Sequence, residues 1–407
     1  MMKKIFYYIL SIIFFLFISC DDGSEPYHRV PIEDDGEEDV VVDHKARAKE
    51  IYDIIYPIFN VNDGNGLFLE SVPAQAGDPR YSYLWPYDAT ISAASVLTEL
   101  GYDVNYEAMV DRFEKYFRVG AEGNNIGGYG SSTNGSVGGG TRFYDDNSIV
   151  GINLIDAYRI TKKPIYLERA QRIVTFLKSG QDNILGGALW WNESEKNIID
   201  NPNSNKPTCS NGYAIQFLLR YYEVATNETE KAEVLDLAKS LYKWLRDNLY
   251  DSYSGCYWND KNVKGEINKT IWTYNTGVMM QNGLLLYKIT KDQTYLDEAK
   301  RSANGSYDYF VRLRNGVLSF PDHDPWFSTK LLGAYIDMQP YYPAVEEYIE
   351  VFNNYINYAY ENARMDNGLF YEDWTGIKQG RYYSLLMQSC VVETYGLLAL
   401  YNETKNN

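Results

Sequence analysis

The sequence predicts an all-α fold, an (α/α)6 barrel in which six helical hairpins close into a toroid. Three observations predict it: a glycine-aromatic motif recurs six times, the segments between carry helical periodicity, and neither end of the series has a polar cap. The motif stands at Gly66-Leu67-Phe68, Gly128-Tyr129, Gly187-Ala188-Leu189-Trp190, Gly255-Cys256-Tyr257-Trp258, Gly316-Val317-Leu318 and Gly368-Leu369-Phe370, at intervals of 52 to 68 residues. Self-similarity at one period is the mark of a repeat architecture.

Between the glycines, apolar residues fall three and four apart, the spacing of amphipathic helices. Ile149, Ile152, Ile155 and Tyr158 carry one run, and Tyr166, Ala170, Ile173 and Leu177 the next. Tyr287, Tyr295 and Ala299 repeat the spacing of Tyr158, Tyr166 and Ala170, while the copy at Tyr222 inserts four residues before Ala238. Short polar links, Thr161-Lys162-Lys163-Pro164 and Thr290-Lys291-Asp292, are those of helical hairpins. An open solenoid would need capping repeats with polar outer faces. The first hairpin (46–59, then 87–100) and the last (344–364, then 384–401) are as apolar as the middle ones, which favours closure. The glycine-aromatic loops then share one rim, where a cleft would lie.

The N-terminal residues stand apart from this pattern. Lys3 and Lys4 precede an apolar run from Ile5 to Ile18, too short for a spanning helix and followed by acid, so residues 1–19 read as a signal peptide. Ser19-Cys20 resembles a bacterial lipobox, which implies lipidation of Cys20 and a membrane partner through that anchor. Residues 20–43 hold ten acids against one base, Arg29, and read as a solvated tether. The acids after Cys20 resemble the surface-export signal of Bacteroidetes lipoproteins, implying the outer membrane. About nine of the seventeen net negative charges sit in the tether, leaving the rest of the chain near −8. Such a domain attracts no nucleic acid and suits a neutral or cationic substrate. Residues 44–407 form one catalytic-size domain, expected to be a monomer. Its 39 tyrosines, counted over the chain, suit sugar faces as well as cores. Cys209, Cys256 and Cys390 allow one bridge or three thiols, and His323 alone in the body excludes a histidine-pair mechanism or a His-rich metal site within one chain. No metal or organic cofactor is expected.

The loop from Gly123 to Gly140 is rich in glycine and leads into Thr141-Arg142-Phe143-Tyr144-Asp145-Asp146-Asn147. Such loops are commonly functional. Adjacent aspartates heading a helix are also explained by capping and the helix dipole, so the pattern alone leaves both readings open. The string RFYDDNSIVGINLIDAYRITKKPIYLERA resembles the core motif of glycoside hydrolase family 76, the α-1,6-mannanases. LGGALWWNE (185–193), TCSNGYA (208–214), WTYNTGVMMQNGLLLYKIT (272–290) and GLFYEDW (368–374) follow in the family's order. The resemblance spans about residues 85–400. It implies a retaining glycosidase on mannan, with Asp145 as nucleophile and Asp146 as general acid/base. It also implies sugar contacts from Tyr144, Trp190, Trp191, Asn211, Tyr274, Asn275, Asp373 and Trp374, while Asp88 reads as a helix cap. Ala188, Thr276 and Asn259-Asp260 depart from the family's pattern and bear on substrate length and branching. The alternatives are a transglycosylase using the same pair and an inactive glycan-binding surface lipoprotein.

Overall fold

The computed structural model describes residues 42–120 and 125–405. The signal segment at 1–19, Cys20 and the tether as far as residue 41 lie outside the described residues, as do Gly123 and Asn124 of the glycine-rich loop. The described helices are α1 (His44–Phe59), α2 (Leu84–Glu99), α3 (Tyr106–Asp111), α4 (Tyr144–Thr161), α5 (Pro164–Lys178), α6 (Thr208–Val224), α7 (Glu228–Leu249), α8 (Thr273–Thr290), α9 (Gln293–Phe310), α10 (Pro325–Met338), α11 (Glu346–Asn362) and α12 (Leu385–Lys405). Burial divides them into two sets. The longer odd-numbered helices each bury one stripe: in α9, Leu296, Ala299, Ala303, Tyr307 and Phe310. Even-numbered helices are buried on nearly every face, and α12 buries every residue from Leu385 to Gly396. A helix apolar all round needs neighbours all round.

The even-numbered helices supply those neighbours for one another. Each packs against the next, and α12 packs against α2. The outer layer also joins its ends: Arg47 Nη1 donates to Asn357 Oδ1 at 3.0 Å, and Arg364 Nη2 to Glu50 Oε1 at 2.6 Å. The result is the expected (α/α)6 barrel. One outer position departs from the expectation of full hairpins. There α3 has six residues and is continued by the 3₁₀ turn Arg112–Lys115.

At one end, inner helices run into outer ones through short links. Lys162 and Lys291 hold the same left-handed conformation, φ 59° and 61°, with their N–H groups on the carbonyls of Tyr158 and Tyr287. The spacing repeat is thus a repeated helix cap. At the other end, each outer helix leads into a long loop that turns at or near the recurring glycine and comes back antiparallel. Asn60 pairs with Phe68, Phe117 with Tyr129, Gln181 with Leu189, Tyr250 with Tyr257, Leu313 with Leu318 and Arg364 with Phe370. Gly255 shows why glycine is needed: its φ is +76°, and a Cβ there would lie 2.9 Å from the Arg301 carbonyl. These short ladders are the β-structure that an all-α reading did not foresee.

Side chains in the first turns of the inner helices clamp the returning loops. Asn147 accepts from Tyr129 N and donates to Tyr129 O; Asn211 does the same to Leu189, and Gln388 to Phe370. Thr276 accepts from Tyr257 N. One polar side chain per turn satisfies backbone groups that would otherwise be buried without partners. The three cysteines of the domain are free and buried.

Candidate active site

The loops preceding the inner helices surround a cavity of about 1050 Å³. Its lining includes the residue just before each inner helix: Tyr83, Phe143, Pro207, Trp272, Asp324 and Ser384. Six helix N-termini therefore face one space.

Asp145 and Asp146 lie in this lining, both half-buried, in the first turn of α4. The residues on either side turn away. Tyr144 stacks on Phe176 at 4.8 Å, and Asn147 holds the Tyr129 loop. Residues 142–144 run antiparallel to 191–193, with Tyr144 N donating to Trp191 O and Glu193 N to Arg142 O. That ladder is anchored by a buried ion pair, Arg142 Nε to Glu193 Oε2 at 2.7 Å. It sets Trp191 beside the turn that carries the two aspartates.

The two carboxyls have unequal surroundings. Asp145 Oδ2 accepts from Trp191 Nε1 at 3.2 Å and from Cys209 Sγ at 3.2 Å, and its Oδ1 accepts from Asp146 N at 3.1 Å. No described side chain donates to the carboxyl of Asp146. Burial raises the pKa of Asp145, and the three donors hold it back. Burial lifts Asp146 well above the usual carboxylate range, with the charges of Asp145 and Asp88 adding to it. One group is thereby favoured as the ionised member and the other as the proton holder. Asp88 is not the cap it was read as. It lies inside α2, 1 % exposed, accepts from Asn153 Nδ2 at 2.7 Å, and burial pushes its pKa up to about 8.

An aromatic wall adjoins the pair. Trp85 stacks over Phe327 at 5.9 Å and 12°, Tyr274 stacks on the same ring at 4.1 Å, and Trp272 meets it edge-on. A three-stranded sheet, Asn205–Pro207, Trp258–Asn262 and Ile267–Ile271, adds amides and one acid to the lining. There Asp260 accepts from Asn259 Nδ2 and Asn268 Nδ2.

Of the residues expected to touch sugar, Trp191 and Tyr274 line the cavity together with the aspartates. The others do not. Tyr144 is buried against Phe176. Trp190 has no exposed surface, gives its indole N–H to Asp182, and lies under the Lys206 ammonium. Asn211 is consumed by the Leu189 clamp and the Pro207 carbonyl. Asn275 is buried and reaches Asn259 at 3.4 Å. Asp373 closes its own turn, accepting from Thr375 N and Lys378 N, and Trp374 packs into the core against Phe352 and Tyr355. Motif membership drew attention to these residues, yet their side chains serve folding. Trp85, Trp272 and Phe327, which the sequence reading did not single out, also line the cavity. The signal that finds them is position, at or beside the start of an inner helix.

The family model for glycosyl hydrolase family 76 matches residues 44–364. No curated protein sequence matches the chain. Among solved structures, a family 76 α-mannanase of Bacteroides thetaiotaomicron is similar at TM-score 0.77 and 25% identity, covering 90% of this chain and 98% of that one. A family 76 glycoside hydrolase from a bovine strain of that species superposes at TM-score 0.78 and 22% identity, covering 89% of this chain and 79% of that one. An inactive variant of a Salegentibacter α-1,6-mannanase, in complex with α-1,6-mannotriose, gives TM-score 0.71 at 24% identity, covering 88% and 100%. The latter two show a shared fold. With the family model matching most of its length, this chain belongs to glycosyl hydrolase family 76 and is a glycoside hydrolase.

Proposed function

We propose that the enzyme cleaves α-1,6-mannosidic bonds within mannan chains, with retention of anomeric configuration. The observation that carries this reading is the unequal pair: adjacent carboxyls in the lining of a large cavity, one met by three donors and one by none among the described side chains. The family 76 α-mannanase from Bacteroides supports the substrate, as does the mannotriose complex of the Salegentibacter enzyme, whose inactive variant replaces two consecutive aspartates. In this mechanism Asp146 gives its proton to the glycosidic oxygen while Asp145 attacks the anomeric carbon. The leaving sugar departs as an alcohol and a glycosyl ester forms on Asp145. Water, giving its proton to Asp146, then breaks the ester and restores both groups. Retaining pairs stand about 5–5.5 Å apart and inverting pairs farther, and neighbouring side chains suit the shorter separation. A cavity of about 1050 Å³ has room for several sugar units, in keeping with internal cleavage.

The test uses the fragment from Asp43 onward with linear α-1,6-mannan, its products resolved by chromatography and their first-formed anomer read by proton NMR. Short oligosaccharides released with the α-anomer first, and by neither Asp145→Ala nor Asp146→Ala, are expected. An initial β-anomer would exclude retention. Release of mannose alone would exclude internal cleavage, and binding without products would leave a glycan-binding protein. The Cys20 lipid anchor at the outer membrane is part of the same proposal, resting on the Ser19-Cys20 motif. Cells expressing the full chain and fed labelled palmitate should label it, and a Cys20→Ser form should stay unlabelled. Label on both forms would remove Cys20 as the site.

A further inference from the structure

Five carboxyl groups line the cavity, those of Glu70, Asp145, Asp146, Asp260 and Asp324, and among the described lining residues there is no lysine, arginine or histidine. Of the cations in neighbouring segments, Arg142 pairs with Glu193, Lys330 with Glu393 and Lys378 with Asp322, Lys269 lies over the Trp258 ring, and His323 lies beside Asp322. Asp145 and Asp146 belong to the chemistry, and Asp260 takes two amide donors, both on Oδ2. Glu70 and Asp324 have no such partners. Among the described residues the Glu70 carboxyl accepts only the Tyr83 N–H, on one oxygen, and no described group donates to the Asp324 carboxyl. Asp324 precedes α10 in a left-handed conformation, φ 50°, without capping it. The two acids therefore present oxygen atoms to the cavity beside the surfaces suited to sugar rings, Tyr83 and Trp85 near one and Phe327 near the other.

We propose that Glu70 and Asp324 are specificity-determining residues that make the cleft a charge filter: it takes uncharged mannan and rejects chains bearing phosphate or uronate. This rests on the mannan reading above and names the chemical class of chain within it. A phosphate brought among these groups would meet like charge with no lysine, arginine or histidine in the described lining to neutralise it, the arrangement by which an interface excludes wrong partners. A hydroxyl, by contrast, can donate to each carboxylate oxygen.

The test is calorimetric binding to the full chain carrying Asp145→Asn and Asp146→Asn. The ligands are α-1,6-mannotetraose and the same tetraose with one phosphate on its terminal mannose. The phosphorylated ligand is expected to bind at least about tenfold more weakly. That gap should narrow as salt is raised and in the further variant Glu70→Gln/Asp324→Asn. Equal affinities, or a gap that neither salt nor those replacements reduce, would overturn the filter, while cleavage of the neutral tetraose by the unmutated chain would keep the mannan reading. Binding of neither ligand would overturn both. Should the four-site variant fail to fold, the salt dependence of the two-site form decides.

Discussion

Asp145 receives three donors, and the indole N–H of Trp191 is the one removable with least disturbance to the backbone. Phenylalanine keeps the ring contact with Phe143 and loses the hydrogen bond. The sign follows from the proposed role: a nucleophile must be ionised, burial already raises the pKa of Asp145, and loss of a donor raises it further. Trp191→Phe should therefore move the acid limb of the kcat/KM profile to higher pH and lower its plateau roughly tenfold, since a hydrogen bond to a charged group is worth about 1.5–3 kcal/mol. An acid limb that stays in place would mean another group sets it. At this scale the sequence drew attention to the pair through a motif, but Asp-Asp before a helix has a bland explanation in capping. Only the paths of Tyr144 and Asn147 away from the cavity show the two acids facing it.

Asn211 illustrates the element scale. Its amide ties the loop returning from α5 to the first turn of α6, as Asn147 and Gln388 do for their own loops. Asn211→Ala would leave the Leu189 N–H and two carbonyls without that partner in a buried site. A loss of roughly 1–3 kcal/mol in denaturant unfolding is expected, with KM for mannan nearly unchanged. A protein of unaltered stability with a raised KM would return Asn211 to the sugar contacts. The sequence showed that TCSNGYA belongs to a pattern but not which way its asparagine points. Buried clamps and sugar-binding amides use the same residue type.

For the whole molecule, closure makes the ends interdependent. α12 lies between α1, α10 and α2, and Ser71 pairs with Ser384 where the first and sixth loops meet on the rim. A chain ending after Tyr382 loses one inner helix and exposes the buried faces of α2 and α10. An open repeat array would shed its last unit and keep the rest. The toroid should instead lose its cooperative thermal transition altogether, as followed by circular dichroism. A sharp transition in the truncated chain would show that five units stand alone.

The sequence by itself determined the number of units and the helical character of the segments between the glycines, and it pointed to the aspartate pair that lines the cavity. Each of these is periodic or local: a turn that needs glycine, a helix cap four residues before the next tyrosine, two acids in one turn. The tertiary structure decided which helices are inner, which side chains of each motif face the cavity, and that Trp85, Trp272 and Phe327 share one wall. Those residues are 242 positions apart at the extremes, Trp85 and Phe327, and meet only when the ring closes. Facing is settled by packing among six helices, and no spacing along the chain encodes it.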